Sequence, residues 1–289
     1  MQMYTKAIRN IITIKKLNEM KLHRTKIYFR NFAHMTITFL GTGTSQGVPL
    51  IACRCPICAS VDARDKRLRS SVMITVNKRN YVIDTGPDFR QQMLREQVES
   101  LEGIVFTHEH KDHIAGLDDV RAFNFINNWR AQVYCTEQVA AALKREFAYA
   151  FSDRKYPGIP EIDLCIIDER KFTVGELEFL PIQVFHLHLP VFGFRIGNFA
   201  YITDANLIPE EEFEKLRGLE VVVLNALRRE KHPSHFTLDE AVAIANRIGA
   251  KQTWFTHISH QLGLHEDVAR ELPAGMFLAY DGLKLEVGA

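Results

Sequence analysis

Residues 106–113 read FTHEHKDH, and within them His108, His110, Asp112 and His113 stand close enough together to hold metal. On extended chain His108 and His110, two apart, point the same way, which leaves Asp112 and His113 free to aim at a second ion. Imidazole and carboxylate without sulfur suit catalytic Zn2+, Mn2+ or Fe2+ and leave positions open for water. A second metal-capable group lies earlier, Cys53, Cys55 and Cys58 in CRCPIC. Three thiolates are most of a tetrahedral zinc site, but a structural site wants four protein ligands. No fourth Cys or His stands beside them.

These residues need elements to position them. From Met35 onward, short β-rich runs alternate with helical stretches. MTITFLG, SVMITVN, NYVIDTG, EGIVFT, AQVYC, ELEFLPIQVFH, VFGFRIG, FAYITD, EVVVLNA and KQTWFTH read as strands. PDFRQQMLREQ is expected as a helix with Pro87 at a first helical position. HIAGLDDVRAF, TEQVAAALKREFAYAF, IPEEEFEKL and TLDEAVAIANRIG read as further helices, with Thr136 and Thr237 as caps. Strands in both halves with interspersed helices predict two packed sheets covered by helices outside. Several strands end in a polar, metal-capable residue. Cys135 and Cys165 lie on strand patterns and read as small buried hydrophobes.

HxHxDH after a strand resembles the signature of the metallo-β-lactamase superfamily, and the resemblance covers residues 35–289. It implies one catalytic domain over that range, an α/β four-layer αββα sandwich of two mixed sheets flanked by helices. It also implies two active-site divalent metals, Zn or Mn. His108, His110 and a later histidine would hold the first ion. VFHLHLPVFGF offers His186 and His188, which alternation cannot separate; the resemblance favours His186. Asp112, His113 and His257 of WFTHISH would hold the second, and Asp204 of AYITDAN would bridge the two. A hydroxide shared by the ions would be the nucleophile. Asp84 in VIDTG either orients a liganding imidazole or simply turns the chain.

Three features resemble the phosphodiesterase branch of that superfamily, which includes ribonuclease Z. FLGTGTSQGVP resembles its N-terminal Gly-rich turn, where successive N–H groups can form an anion nest. HPSHFTLDEA places His235 where that branch keeps a histidine that protonates the leaving oxygen, with His232 as competitor. CRCPIC followed by THISHQ resembles the cyclic-phosphate phosphodiesterases of the carbon–phosphorus lyase pathway. That likeness implies a structural Zn on Cys53, Cys55, Cys58 and His260. Asp112 and His235 are the expected catalytic residues, and the expected substrate is a small cyclic or diester phosphate. The alternatives are hydrolysis of a thioester or lactone, and an RNA-processing or nucleic-acid-binding role.

Composition fits a globular enzyme, with 46% hydrophobic and 25% charged residues. No apolar run approaches the roughly 20 residues that span a bilayer, and the N-terminus lacks a secretory h-region. Crowded free thiols predict a reducing compartment, the cytoplasm. Eight of the 36 Lys and Arg but one of the 35 acids lie in residues 1–34. The remainder therefore carries 28 bases against 34 acids, a poor footprint for nucleic acid. The basic segment suits a nucleic-acid arm, a targeting helix or, as expected here, an extension upstream of a start at Met35. A homodimer stays open.

Overall fold

The structure, a computed structural model, describes residues 34–153 and 156–288; the basic segment up to residue 33 lies outside them. Fourteen strands alternate with short helices among the described residues. The first six are β1 (Met35–Gly41), β2 (Ser71–Val76), β3 (Arg79–Ile83), β4 (Gly103–Val105), β5 (Ala131–Cys135) and β6 (Ile162–Ile166). Then come β7 (Phe172–Val174), β8 (Leu177–His186), β9 (Leu189–Ile196) and β10 (Phe199–Tyr201). The last are β11 (Val221–Asn225), β12 (Gln252–Thr256), β13 (Met276–Leu278) and β14 (Lys284–Val287). The helices are α1 (Pro56–Ala59), α2 (Phe89–Arg95), α3 (Lys111–Ile114), α4 (Arg121–Asn127), α5 (Glu137–Glu146), α6 (Ala148–Phe151), α7 (Leu238–Ile248) and α8 (His265–Glu271).

Two seven-stranded sheets result, β14-β1-β2-β3-β4-β5-β6 and β13-β12-β11-β10-β9-β8-β7. Each has an antiparallel half and a parallel half: β3 to β6 run parallel in the first, β10 to β13 in the second. Only β14 returns to the sheet of the opposite half of the chain. β11, VVVLN, is buried along its whole length, as a strand covered on both faces must be. Val222 and Leu224 join Leu238, Ala241 and Ala245 of α7 in one apolar cluster. On the first sheet Val82, Ile104 and Val133 pack with Phe89, Phe123, Val139 and Leu143 of α2, α4 and α5. The sheets meet through aromatic pairs such as Tyr134–Phe172 and Phe39–Trp254, with ring centroids 5.7 and 6.4 Å apart. This is the four-layer αββα sandwich that the sequence predicts.

Local departures have local causes. Helix α2 starts at Phe89, not at Pro87: the Phe89 N–H donates to the Gly86 carbonyl, and Asp88 occupies the cap while its carboxylate binds Arg69. Within IPEEEFEKL, Glu210–Leu216 forms a 3-10 helix rather than an α-helix. Cys165 is half-buried, because β6 is an edge strand; Cys135, one strand inward, is buried. No helix of the described residues is long and apolar enough to cross a membrane.

Helix α7 carries the expected cap. The Thr237 hydroxyl accepts from the Glu240 N–H at 3.2 Å, and the Glu240 carboxylate accepts from the Thr237 N–H at 3.0 Å. Thr237→Ala should cost about 1 kcal/mol, read as a fall of about 2–4 °C in the midpoint of thermal unfolding.

Candidate metal centre

The parallel strands end at one edge of the sandwich, and their last residues carry the polar side chains. Asp84 follows β3, His108–His113 follow β4, Asp204 follows β10 and His257 follows β12. Asp84, Asp204 and His257 have φ of 66°, 55° and 55°, a left-handed conformation that residues other than glycine adopt at a cost. Each therefore turns its side chain out of the strand direction at the point where it is needed.

The Asp84 carboxylate is buried and fully engaged. It accepts from the Thr107 N–H and hydroxyl, both at 2.9 Å, and from His113 Nδ1 at 2.8 Å. The Thr107 hydroxyl, having given its proton to Asp84, accepts from His108 Nδ1 at 2.9 Å. His186 Nδ1 donates to the Ser234 carbonyl at 2.9 Å. His108, His113 and His186 thus each have Nδ1 tied as a donor, which leaves the Nε2 lone pair for a metal.

Glycines let the two halves of this shell touch. A Cβ on Gly86 would stand 2.2 Å from the Asp112 carbonyl oxygen, and one on Gly116 would stand 2.1 Å from the Gly86 carbonyl oxygen.

Asp204 is the meeting point. Its carboxylate lies 3.2 Å from His113 Nε2, 3.2 Å from His257 Nδ1 and 3.1 Å from His235 Nε2. Asp112 is 3.2 Å from His113 Nε2. His113 Nε2 is buried beside both carboxylates yet aligned for a hydrogen bond to neither. The ligand atoms of Asp112, His113, Asp204 and His257 lie within 4.8 Å of one another, as do those of His186, Asp204 and His235. His108 Nε2 is 3.0 Å from His110 Nδ1, and the His110 and His186 rings are 5.0 Å apart. So the structure gathers His108, His110, Asp112, His113, His186, Asp204, His235 and His257. His188 stays outside, exposed in the two-residue turn between β8 and β9.

Charge in this cluster is unbalanced. Burial lowers the pKa of His108 and His186, and holds His257 down to about 4 despite Asp204. Burial also opposes charge on His113, but Asp112, Asp204 and Asp84 outweigh it and raise its pKa well above the usual. Burial works against Asp204 too, yet the imidazoles of His257 and His113 around it hold its pKa well below the usual. Asp112 and Asp204 are both held below the usual carboxylate range beside His113, whereas burial raises Asp84. A donor set of neutral imidazoles with excess carboxylate fits divalent cations.

The cysteines lie at a second cluster. Cys53, Cys55 and Cys58 Sγ are 3.4, 3.4 and 3.6 Å from His260 Nδ1. Tetrahedral bonds of about 2.3 Å to sulfur and 2.05 Å to nitrogen put those atoms roughly 3.6 Å apart, so the four fit one zinc. Cys55 caps α1, with Pro56 in its first turn, and accepts from the Cys58 N–H at 3.4 Å. That bond, with His260, lowers the Cys55 thiol to about 6. Cys58 accepts from the Leu50 N–H at 3.3 Å.

In the Gly-rich turn three of the N–H groups that could make an anion nest are used within the protein. The N–H groups of Gly43, Thr44 and Gly47 donate to the carbonyls of Leu68, Ile258 and Thr44. The turn instead braces the metal centre, with Thr44 Oγ1 3.3 Å from His257 Nε2. Sequence reasoning also missed Asn225, whose side chain exchanges two hydrogen bonds with the backbone of Ala205, at 2.8 and 2.9 Å. It missed Thr107 as well. The signal available for both was a buried polar residue at the end of an apolar strand.

Comparison with known proteins agrees with this geometry. A family model described as "Beta-lactamase superfamily domain" matches residues 79–258. That span reaches from just before Asp84 to just past His257 and leaves out the three cysteines and His260. A crystal structure of "a New Diphosphatase from the PhnP Family" is 43% identical, with a TM-score of 0.83, covering 89% of this chain and 99% of that one. Zn(2+)-bound PqqB from Methylobacterium extorquens superposes with a TM-score of 0.71 at 18% identity, covering 86% of this chain and 99% of that one; this likeness is one of fold. An octanoyltransferase of Porphyromonas gingivalis is 37% identical over 255 residues. The match takes in 86% of this chain but 51% of that protein, so the chain spans about half the length of this curated relative. The chain belongs to the beta-lactamase superfamily and has the metallo-β-lactamase fold.

Proposed function

We propose that the protein is a metal-dependent phosphodiesterase acting on a small cyclic or diester phosphate. The observation that carries this reading is His235, buried beside the metal-capable cluster with Nε2 3.1 Å from Asp204. In this reading His108, His110 and His186 hold one divalent ion, zinc or manganese. Asp112, His113 and His257 hold the other, and Asp204 serves both. Ions at these residues supply Lewis acidity, activating water and neutralising charge on the ester oxygens.

The chain's own groups do the rest. Asp84 and Thr107 fix the tautomers of His113 and His108. His235 Nε2–H passes its proton to the leaving oxygen as the P–O bond breaks, giving an alcohol rather than an alkoxide. Cys53, Cys55, Cys58 and His260 hold a structural zinc, and such thiols suit the cytoplasm. The likeness to a diphosphatase at 43% identity over nearly all of that chain supports a phosphate ester. One observation favours a carbonyl substrate, the name of the P. gingivalis relative.

Purified protein loaded with Zn2+ or Mn2+ is expected to hydrolyse bis(p-nitrophenyl) phosphate and 2′,3′-cyclic nucleotides. Turnover of a thioester or lactone, with neither phosphodiester cleaved, would overturn the reading in favour of its rival. Elemental analysis should find about one zinc fewer in Cys55→Ala, and loss of active-site metal in Asp204→Ala. Asp84→Asn, which removes the charged acceptor behind His113, should cost about 10–100-fold in metal affinity or activity. An unchanged metal titration and rate would remove Asp84 from the centre.

A further inference from the structure

Eight residues, Arg228–His235, form a loop closed at its base by the Leu227 N–H, which donates to the Phe236 carbonyl at 3.0 Å. Arg228 fills the loop. Its guanidinium donates to the carbonyls of Glu230 and Lys231 at 3.1 and 2.9 Å, and to Gln261 Oε1 at 3.0 Å. The loop thereby delivers His232 and His235 as a pair. His235 Nδ1 is 3.1 Å from His232 Nδ1, with the rings tilted at 56°.

Two nitrogens at that distance share one proton, and the loop determines which of them owns it. The Ser234 N–H donates to His232 Nδ1 at 3.3 Å, which makes that nitrogen an acceptor. The proton between the rings therefore sits on His235. Burial, with His235 and Arg228 nearby, keeps His232 neutral, so its lone pair is available. The Ser234 hydroxyl lies 3.1 Å from His235 Nδ1, as near as His232, and 3.3 Å from His232 Nδ1, so it bridges the pair.

An imidazole ring can seat in either of two orientations related by a half-turn about Cβ–Cγ, which exchange Nδ1 with Cδ2 and Nε2 with Cε1. Without a partner for Nδ1, nothing on the loop side would choose between them for His235. We infer that His232 is a positioning residue: by accepting the Nδ1–H of His235 it locks the ring with Nε2, and not the carbon Cε1, facing Asp204 and the ester. His186 lies across the site with its ring 4.6 Å from His235, and His257 stacks on the same ring at 4.9 Å. These contacts limit the tilt of the ring but offer no acceptor to Nδ1. His232 has no role of its own at the reacting atoms. This inference rests on the reading of His235 as the proton donor.

The test uses leaving groups. A p-nitrophenolate departs with little help from an acid, whereas the alkoxide of a 2′,3′-cyclic nucleotide needs it. His235→Ala should lose about 10²–10⁴-fold in kcat on the cyclic nucleotide and far less on bis(p-nitrophenyl) phosphate, with metal content intact. His232→Ala should show the same bias in smaller measure, roughly three- to tenfold, the size of one lost hydrogen bond. KM, metal content and thermal midpoint should hold. His232→Asn, whose Oδ1 can accept in place of Nδ1, should recover most of the loss. Equal loss on both substrates in His232→Ala, no loss at all, or no recovery in His232→Asn overturns the positioning role alone. Loss of metal or of the leaving-group bias in His235→Ala overturns the reading of His235 itself, and the positioning role with it.

Discussion

A carboxylate placed where both sheets end constrains much of the site. Asp204 is buried and ionised, and removing such a charge from water costs several kcal/mol unless partners surround it. The fold supplies three imidazoles within 3.2 Å, but burial strips the charge from His257, and His113 is claimed by Asp84 and Asp112 as well. The side chains alone leave the cluster short of positive charge. Excess carboxylate among neutral imidazoles is tolerable in an interior when cations complete it, which is why the centre reads as a metal site and not as a polar core.

The topology explains how one short edge collects so many donors. Each sheet has a parallel half, and parallel strands deliver their following residues to the same end. The first sheet brings Asp84 and the His108–His113 run, and the second brings His186, Asp204 and His257. Asn225 then joins the chain after β11 to the chain after Asp204, using both ends of its amide on Ala205. The Phe236 N–H donates to the Ala205 carbonyl at 2.8 Å, which carries the same brace on to the His235 loop. Backbone held on two sides can keep residues at positive φ that would relax if free.

How much of this the sequence revealed followed the range of each interaction. The His108–His113 run was legible because its donors are adjacent in the chain, and the cores of both sheets were legible as apolar runs. The strands left undelimited, β6, β7, β13 and β14, are the four sheet edges. They are three to five residues long and partly exposed, so they carry little apolar signal; only the setting of Cys165 hinted at β6. His186 and His188 share parity, and alternation fails between them because the strand stops at His186 and turns through Leu187, at φ 60°. The Gly-rich turn misled for a similar reason. Its composition suited an anion, but the N–H groups of Gly43 and Thr44 bond distant carbonyls and that of Gly47 bonds Thr44 within the turn.

The distance between the two cysteine-side and histidine-side clusters along the chain is bridged by one tetrapeptide. His257 faces Asp204 while His260 faces the three cysteines, and the two residues between them are not free to adjust. Ile258 gives its N–H to the Thr42 carbonyl at 2.9 Å and takes the Thr44 N–H at 3.1 Å, while Ser259 donates to Leu227 at 3.0 Å. The segment is therefore clamped between the Gly-rich turn and the base of the His235 loop. Behind the cysteines, buried Arg67 binds Thr42, the Ala279 carbonyl and His265, and Asp65 accepts from the His265 N–H. A shift of His260 has no slack to spend before it reaches Thr44, His257 and Leu227. The parts that join the cysteine cluster to the histidine cluster are thus backbone hydrogen bonds rather than pliable side chains.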